Sequence, residues 1–248
     1  MNQITPQLHR GFGPRFWLAV VAFVVLDVFG YLQPLLRIRQ ERAYLYQGYH
    51  NVFFSDALSS DILASFLPIL AAVPLAARYL EDIKSKFARF LVIRGSNSQY
   101  LIGQVLACWL CGGLAVLLGM GTAYGLTVLI LTPIERVAEA YTPIETRLVG
   151  KLALLALNGG LWAVVGMTMS TIMESKYIAY ASPFIVYYLL VILYERYFPD
   201  AWLLYPKNWL NPEIWPYGIG SAALFLLELT FLCGLVFYVR GKRRLQQL

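Results

Sequence analysis

The 248-residue chain is 59% hydrophobic and 14% charged, with a formal net charge of +6. A soluble domain carries about 25% charged residues and about 45–50% apolar ones, so the composition excludes an ordinary water-soluble fold and makes lipid the main solvent. Backbone polar groups inside a bilayer must be satisfied within a helix or a closed barrel, and apolar runs of about 20 residues without strict alternation select helices.

Taken in chain order, the sequence predicts six transmembrane helices, at 16–33, 62–77, 101–131, 152–173, 178–194 and 220–239, in a single all-α, polytopic membrane domain covering 1–248. Arg10 and Arg15 precede the first run as they would in an export signal. No small-x-small cleavage site follows, since the next residues are Pro34-Leu35-Leu36-Arg37, so the run is read as a retained span. Asp61 falls near the outer end of the second span. The third run is too long for one perpendicular crossing and too short for two, which predicts a single helix that tilts or projects, loosest at Gly119-Met120-Gly121. Cys108 and Cys111 share a face of it with no histidine or acid nearby, so no metal site is expected; Cys233 lies in the last run. His9 and His50 are isolated.

Small residues at Gly121-x-x-x-Gly125 and at Gly159, Gly160 and Gly166 permit close helix approach, either within the subunit or across a dimer. Between the fifth and sixth runs, 195–217 combines Trp202, Trp209 and Trp215 with Tyr197, Phe198, Tyr205 and Tyr217, and Pro199, Pro206, Pro212 and Pro216 preclude one long helix. Short interfacial or re-entrant helices at headgroup depth are expected. Asp27 and Glu228 sit well inside the first and last spans, where a charge costs at least ~2.5 kcal/mol. Such acids usually face the bundle interior, as pathway groups or as partners in interhelical hydrogen bonds.

Orientation follows the basic residues. With six spans and both termini on one side, that side carries Arg10, Arg15, Arg78, Lys84, Lys86, Arg89, Arg94, Lys176, Arg240, Lys242, Arg243 and Arg244 of the 20 Lys and Arg. Both termini are therefore expected in the cytoplasm of a plasma-membrane protein, although Arg37, Arg39 and Arg42 fall on the outer side. Attraction to anionic lipid accounts for the net charge without nucleic acid.

Between the second and third spans, Leu80, Ile83, Phe87 and Phe90/Leu91 recur at helical spacing among Glu81, Asp82, Lys84, Ser85 and Arg89, which predicts an amphipathic interfacial helix over 78–94 with Gly95 as its cap. Here the chain resembles the permeases of type-2 ABC exporters. The resemblance rests on Tyr79-x-Glu81-Asp82-x-x-Ser85, on Arg94 and Tyr100 before the third span, and on the order of spans. Glycine often follows the serine in related sequences; here it is Lys86. The resemblance implies that Tyr79, Glu81, Asp82, Lys84, Ser85, Arg89 and Arg94 form a coupling helix gripped by a separate ABC ATPase subunit, which binds ATP and Mg, and that the permease pairs with a second permease, identical or related. It also implies that Trp202, Trp209 and Trp215 lid the outer side of the pathway; a plain aromatic belt fits these residues equally.

No Gly-x-x-x-x-Gly-Lys-Ser/Thr occurs; Gly150-Lys151 is followed by Leu152 and lacks the upstream glycine. The expectation is thus a permease without enzymatic activity or bound cofactor of its own, exporting a peptide, drug, lipid or glycan. The alternative is an ion-coupled secondary transporter using Asp27 and Glu228, for which inverted-repeat symmetry would be expected and is not seen.

Overall fold

The computed structural model describes residues 4–41, 45–46, 48–87, 96–136 and 145–246. In chain order the helices are α1 (Ile4–Gly11), α2 (Pro14–Glu41), α3 (Tyr49–Leu58), α4 (Asp61–Ala72), α5 (Arg78–Lys84), α6 (Asn97–Leu131), α7 (Glu145–Met173), α8 (Lys176–Ile192) and α9 (Ile219–Gln246). Two-residue strands β1 (Leu45–Tyr46) and β2 (Glu135–Arg136) pair in parallel, Leu45 opposite Glu135 and Tyr46 opposite Arg136.

Among the described residues, four helical stretches are long and apolar enough to cross a membrane: Asn97–Leu131, Leu148–Met173, Lys176–Tyr197 and Ile219–Gln246. Tyr49–Leu58 and Asp61–Ala72, bent by 63° at the break between them, make a fifth if counted as one broken span. This is the make-up of a membrane protein. Its surface agrees, since Leu129, Phe231 and Phe29 are each at least 70% exposed, an arrangement that water would penalise. The 16–33 stretch lies inside α2.

The second predicted segment, 62–77, is shorter as a helix than expected. Ser60 caps α4, its Oγ accepting from the Leu63 amide at 3.3 Å. At the other end Pro74 has no N–H to donate to Leu70. Val73 N bonds Leu70 O instead, at 3.2 Å, and the chain turns before restarting as α5. The third segment is one unbroken 35-residue helix, α6, about 52 Å long at 1.5 Å per residue. Gly119 does not loosen it; a Cβ there would lie 2.5 Å from the Cβ of Phe23, so the glycine is where α2 crosses closely.

At the centre α6 and α7 touch through small residues. A Cβ on Gly112 would meet Ala163 Cβ at 2.6 Å, one on Gly113 the carbonyl of Ala156 at 2.8 Å, and one on Gly159 the Val116 side chain at 2.5 Å. Helices in lipid associate by such close backbone approach. α7 also packs against α4, α8 and α9, with Thr168 Oγ1 donating to Cys233 O at 3.2 Å. Gly160 and Gly166 likewise face neighbours inside the subunit, whereas Gly121 and Gly125 face outward with nothing within 4 Å.

Gly113→Ala is expected to cost about 1–3 kcal/mol by forcing α6 off the Ala156 carbonyl. Gly121→Ala, on the same helix but facing outward, should be neutral or stabilising by up to about 1 kcal/mol. Thermal unfolding of the two variants in detergent separates them.

Candidate functional site

The short helix α5 is built into one end of the bundle by its own alternation of buried and exposed residues. Tyr79, Leu80, Asp82 and Ile83 point inward, whereas Lys84, Ser85, Lys86 and Phe87 are exposed. Asp82 is only 3% exposed. Its carboxylate receives a two-pronged contact from Arg10 of α1, Nη2 at 2.8 Å from Oδ1 and Nη1 at 3.3 Å from Oδ2. The Tyr100 hydroxyl of α6 donates to Oδ2 at 3.1 Å. A buried carboxylate is tolerable only when paired and hydrogen-bonded in this way.

Other contacts extend the cluster to α2, α7 and α9. Gln7 Nε2 donates to Tyr100 O at 3.3 Å, and Arg15 of α2 pairs with Glu81 at 2.9 Å. The Tyr79 hydroxyl donates to Gly241 O of α9 at 3.3 Å, and burial pushes that phenol up to about 12, so it remains a donor. Arg244, also on α9, pairs with Glu174 at 3.2 Å and donates to Thr171 O of α7 at 3.4 Å. The Arg10 guanidinium lies 4.7 Å from the Phe87 ring centroid. One carboxylate thus gathers α1, α5 and α6, and Tyr79 and Arg244 add α9 and α7.

The amphipathic helix expected over 78–94 does not run through. α5 ends at Lys84, and Lys86 takes φ 59, the left-handed conformation that glycine adopts most cheaply. The left-handed turn that ends the helix is made here with lysine rather than glycine. Arg89, Arg94 and Gly95 lie outside the described residues. Asp82 needs correction as an outward charge, because its carboxylate is withdrawn into the bundle, and Tyr79 is fully buried beside it. Glu81 is half-buried between Arg15 and Arg78. The face left open is Lys84, Ser85, Lys86 and Phe87.

At the opposite end, Glu135 accepts from the backbone amides of Gly48 at 3.0 Å and His50 at 2.8 Å, with the His50 ring 2.9 Å away. His50 is therefore not isolated. Burial opposes ionisation of Glu135, yet these amide bonds and the imidazole hold its carboxyl below the usual range. Asp61 is 81% exposed at its side chain and pairs with Lys207 at 2.6 Å, as its place near water requires. Segment 193–214 forms a π turn at Leu193–Tyr197 and short 3₁₀ turns at Trp202–Leu204, Pro206–Leu210 and Pro212–Ile214.

Its tryptophans do not form an exposed belt. Trp209 and Trp215 are buried, Trp209 stacked on Trp162 at 5.9 Å and Trp215 against Phe225 at 5.2 Å, while Trp202 meets Trp215 edge-on at 4.9 Å. The indole N–H groups donate to Leu203 O and Asn208 O at 2.8 and 2.9 Å. The segment is a folded plug on α7 and α9.

The two acids expected inside spans part company. Asp27 is buried in α2, as expected, whereas Glu228 is exposed on the outer side of α9 among Leu224, Leu227, Phe231 and Leu232, which corrects its expected inward orientation. Cys108 and Cys111 are buried, with Cys108 Sγ 3.4 Å from Ala163 O. Compared with models of known protein families the chain matches none, and no curated protein matches it in sequence.

Asp82→Ala should cost about 2–4 kcal/mol, since it strands Arg10 and Tyr100, whereas Glu81→Ala should cost less than about 1 kcal/mol because its pairs are partly solvated; denaturant unfolding in detergent measures both. Because Glu135 is more acidic folded than unfolded, its contribution is complete at neutral pH and disappears as pH falls through its lowered value. Hydrogen-exchange protection of the Gly48 and His50 amides should hold at about pH 6 and drop by about pH 3.

Proposed function

We propose that the chain is the membrane-spanning permease subunit of an ATP-driven exporter, with six spans, both termini on the cytoplasmic side, and ATP hydrolysed on a separate ATPase subunit. The observation that carries the reading is the clamp around Asp82. It makes α5 a rigid part of the bundle while leaving Lys84, Ser85, Lys86 and Phe87 presented outward. A partner pressing on that face would move α1, α6 and α9 together, which is the requirement for transmitting a rigid-body motion to spans.

The grouping of the charged segments supports the topology. The N-terminal helix, α5, the α7–α8 connection and the basic end of α9 meet at one end through Arg10–Asp82, Tyr79–Gly241 and Arg244–Glu174. The first crossing would be α2 and the second the bent α3–α4 pair. The ATPase surface should be acidic, with an apolar notch for Phe87. The cargo, a peptide, drug, lipid or glycan, would pass between this subunit and a second permease. An ion-coupled mechanism through Asp27 and Glu228 is less well supported, because one acid is buried in α2 and the other faces outward from α9.

Affinity purification of the full chain in mild detergent should bring down an ABC ATPase, and Lys84→Glu with Lys86→Glu should reduce that capture by about tenfold or more, as reversing two interface charges requires. Recovery of the chain with no ATPase, or undiminished capture by the double variant, would overturn the reading.

A further inference from the structure

At the end of the bundle opposite the clamp lies a cavity of about 280 Å³ lined by Lys151, Lys207, Asn208, Asn211 and Glu213 against the apolar wall of Leu58. Its two lysines differ. Lys207 is neutralised by Asp61 at 2.6 Å, which raises its pKa. Lys151, in the second turn of α7, is held only by neutral oxygens: Ser55 Oγ at 2.9 Å, Ser59 Oγ at 3.4 Å and Ser55 O at 3.5 Å. Among the described residues no carboxylate lies within ion-pair range of it.

A partly buried ammonium held by neutral oxygens has charge to offer an anion, and two of its three hydrogen bonds are long enough to be exchanged for an anionic oxygen. Asn211 Oδ1 accepts from the Glu213 backbone N–H at 3.2 Å, which engages its oxygen and leaves Nδ2 available as a donor on a residue that lines the cavity. Asn208 is engaged likewise by Nδ2 donating to Trp202 O at 3.0 Å, so its Oδ1 remains an acceptor for a hydroxyl. Cation, amide donor, amide acceptor and apolar wall occur together, with the Glu213 carboxylate beside them, in a space larger than a bare inorganic anion.

We propose that this cavity binds a phosphate ester, with Lys151 and the Asn211 amide on the phosphate and Asn208 on a hydroxyl of the esterified alcohol. Lysine serves as a point charge for phosphate, and Leu58 gives the carbon portion an apolar contact. A glycerophosphate lipid headgroup and a free small phosphate ester present the same chemistry. The site does not depend on an ATPase partner, so failure of the exporter reading would leave it standing, and the reverse.

The test uses the full chain in uncharged detergent at constant ionic strength, titrated with glycerol 3-phosphate or with dioleoyl phosphatidylglycerol doped into the micelles, while thermal stability and affinity are recorded. At least one probe should raise Tm. Response to glycerol 3-phosphate alone assigns a free ester, and response to the lipid alone assigns a headgroup. Lys151→Met should weaken binding about tenfold or more, with Lys151→Arg close to the parent, as expected for loss and retention of a charge-assisted hydrogen bond. Should Lys151→Met fail to fold, Asn211→Ala serves in its place and should weaken binding severalfold. No response to either probe, or undiminished binding by the variants, would overturn the assignment.

Discussion

A carboxylate that is 3% exposed at a bundle end, as Asp82 is, must be matched by donors or it will not stay ionised and folded. Arg10 and Tyr100 supply those donors from helices that are far apart in sequence, 72 residues away in one direction and 18 in the other. The arrangement of α1, α5 and the start of α6 follows from satisfying this one group. Once α5 is fixed, Tyr79 reaches Gly241 and its ring packs edge-on against Phe237 at 4.8 Å, so α9 is placed as well. The remaining edge, Lys84 to Phe87, is open because the inward face of α5 is taken up by Tyr79, Leu80, Asp82 and Ile83.

The membrane portion is held by a different means. In lipid there is little gain from burying leucine against leucine, so close packing decides which helices meet. Gly112, Gly113 and Gly159 bring the backbones of α6 and α7 together, and Gly119 does the same for α6 and α2. The polar clamp and the glycine seam therefore divide the work: the first sets which connecting segments gather at one end, and the second sets which spans are neighbours beneath them.

Much of the helical architecture can be read from hydropathy, because lipid demands long apolar runs wherever a span occurs. Segments 101–131, 152–173, 178–194 and 220–239 each fall within an observed helix or its continuation. What could not be read depends on pairing across distance. Nothing in the spacing of Arg10 or Asp82 announces that they meet, and the same holds for His50 and Glu135, which are 85 residues apart. The outward orientation of Glu228 was hidden for another reason: α9 is apolar on both its packed and its exposed faces, so no amphipathic stripe marks the interior. The tryptophans of the 202–215 segment were legible as a dense aromatic group, but not as a plug, since their indole N–H partners are carbonyls within the same loop.

The length of α6 has a mechanical consequence. Its first turn is bonded into the Asp82 cluster through Tyr100, and Tyr124, near the other end, donates to Asn51 Oδ1 at 2.7 Å. Because the helix between them is unbroken for 35 residues, there is no joint to absorb a displacement. Tyr100 and Tyr124 lie about 36 Å apart along that rod, so a pivot of about 5° at one would carry the other through about 3 Å. A reorientation at the charged edge would therefore be felt at Asn51 of α3, at the far end of the bundle.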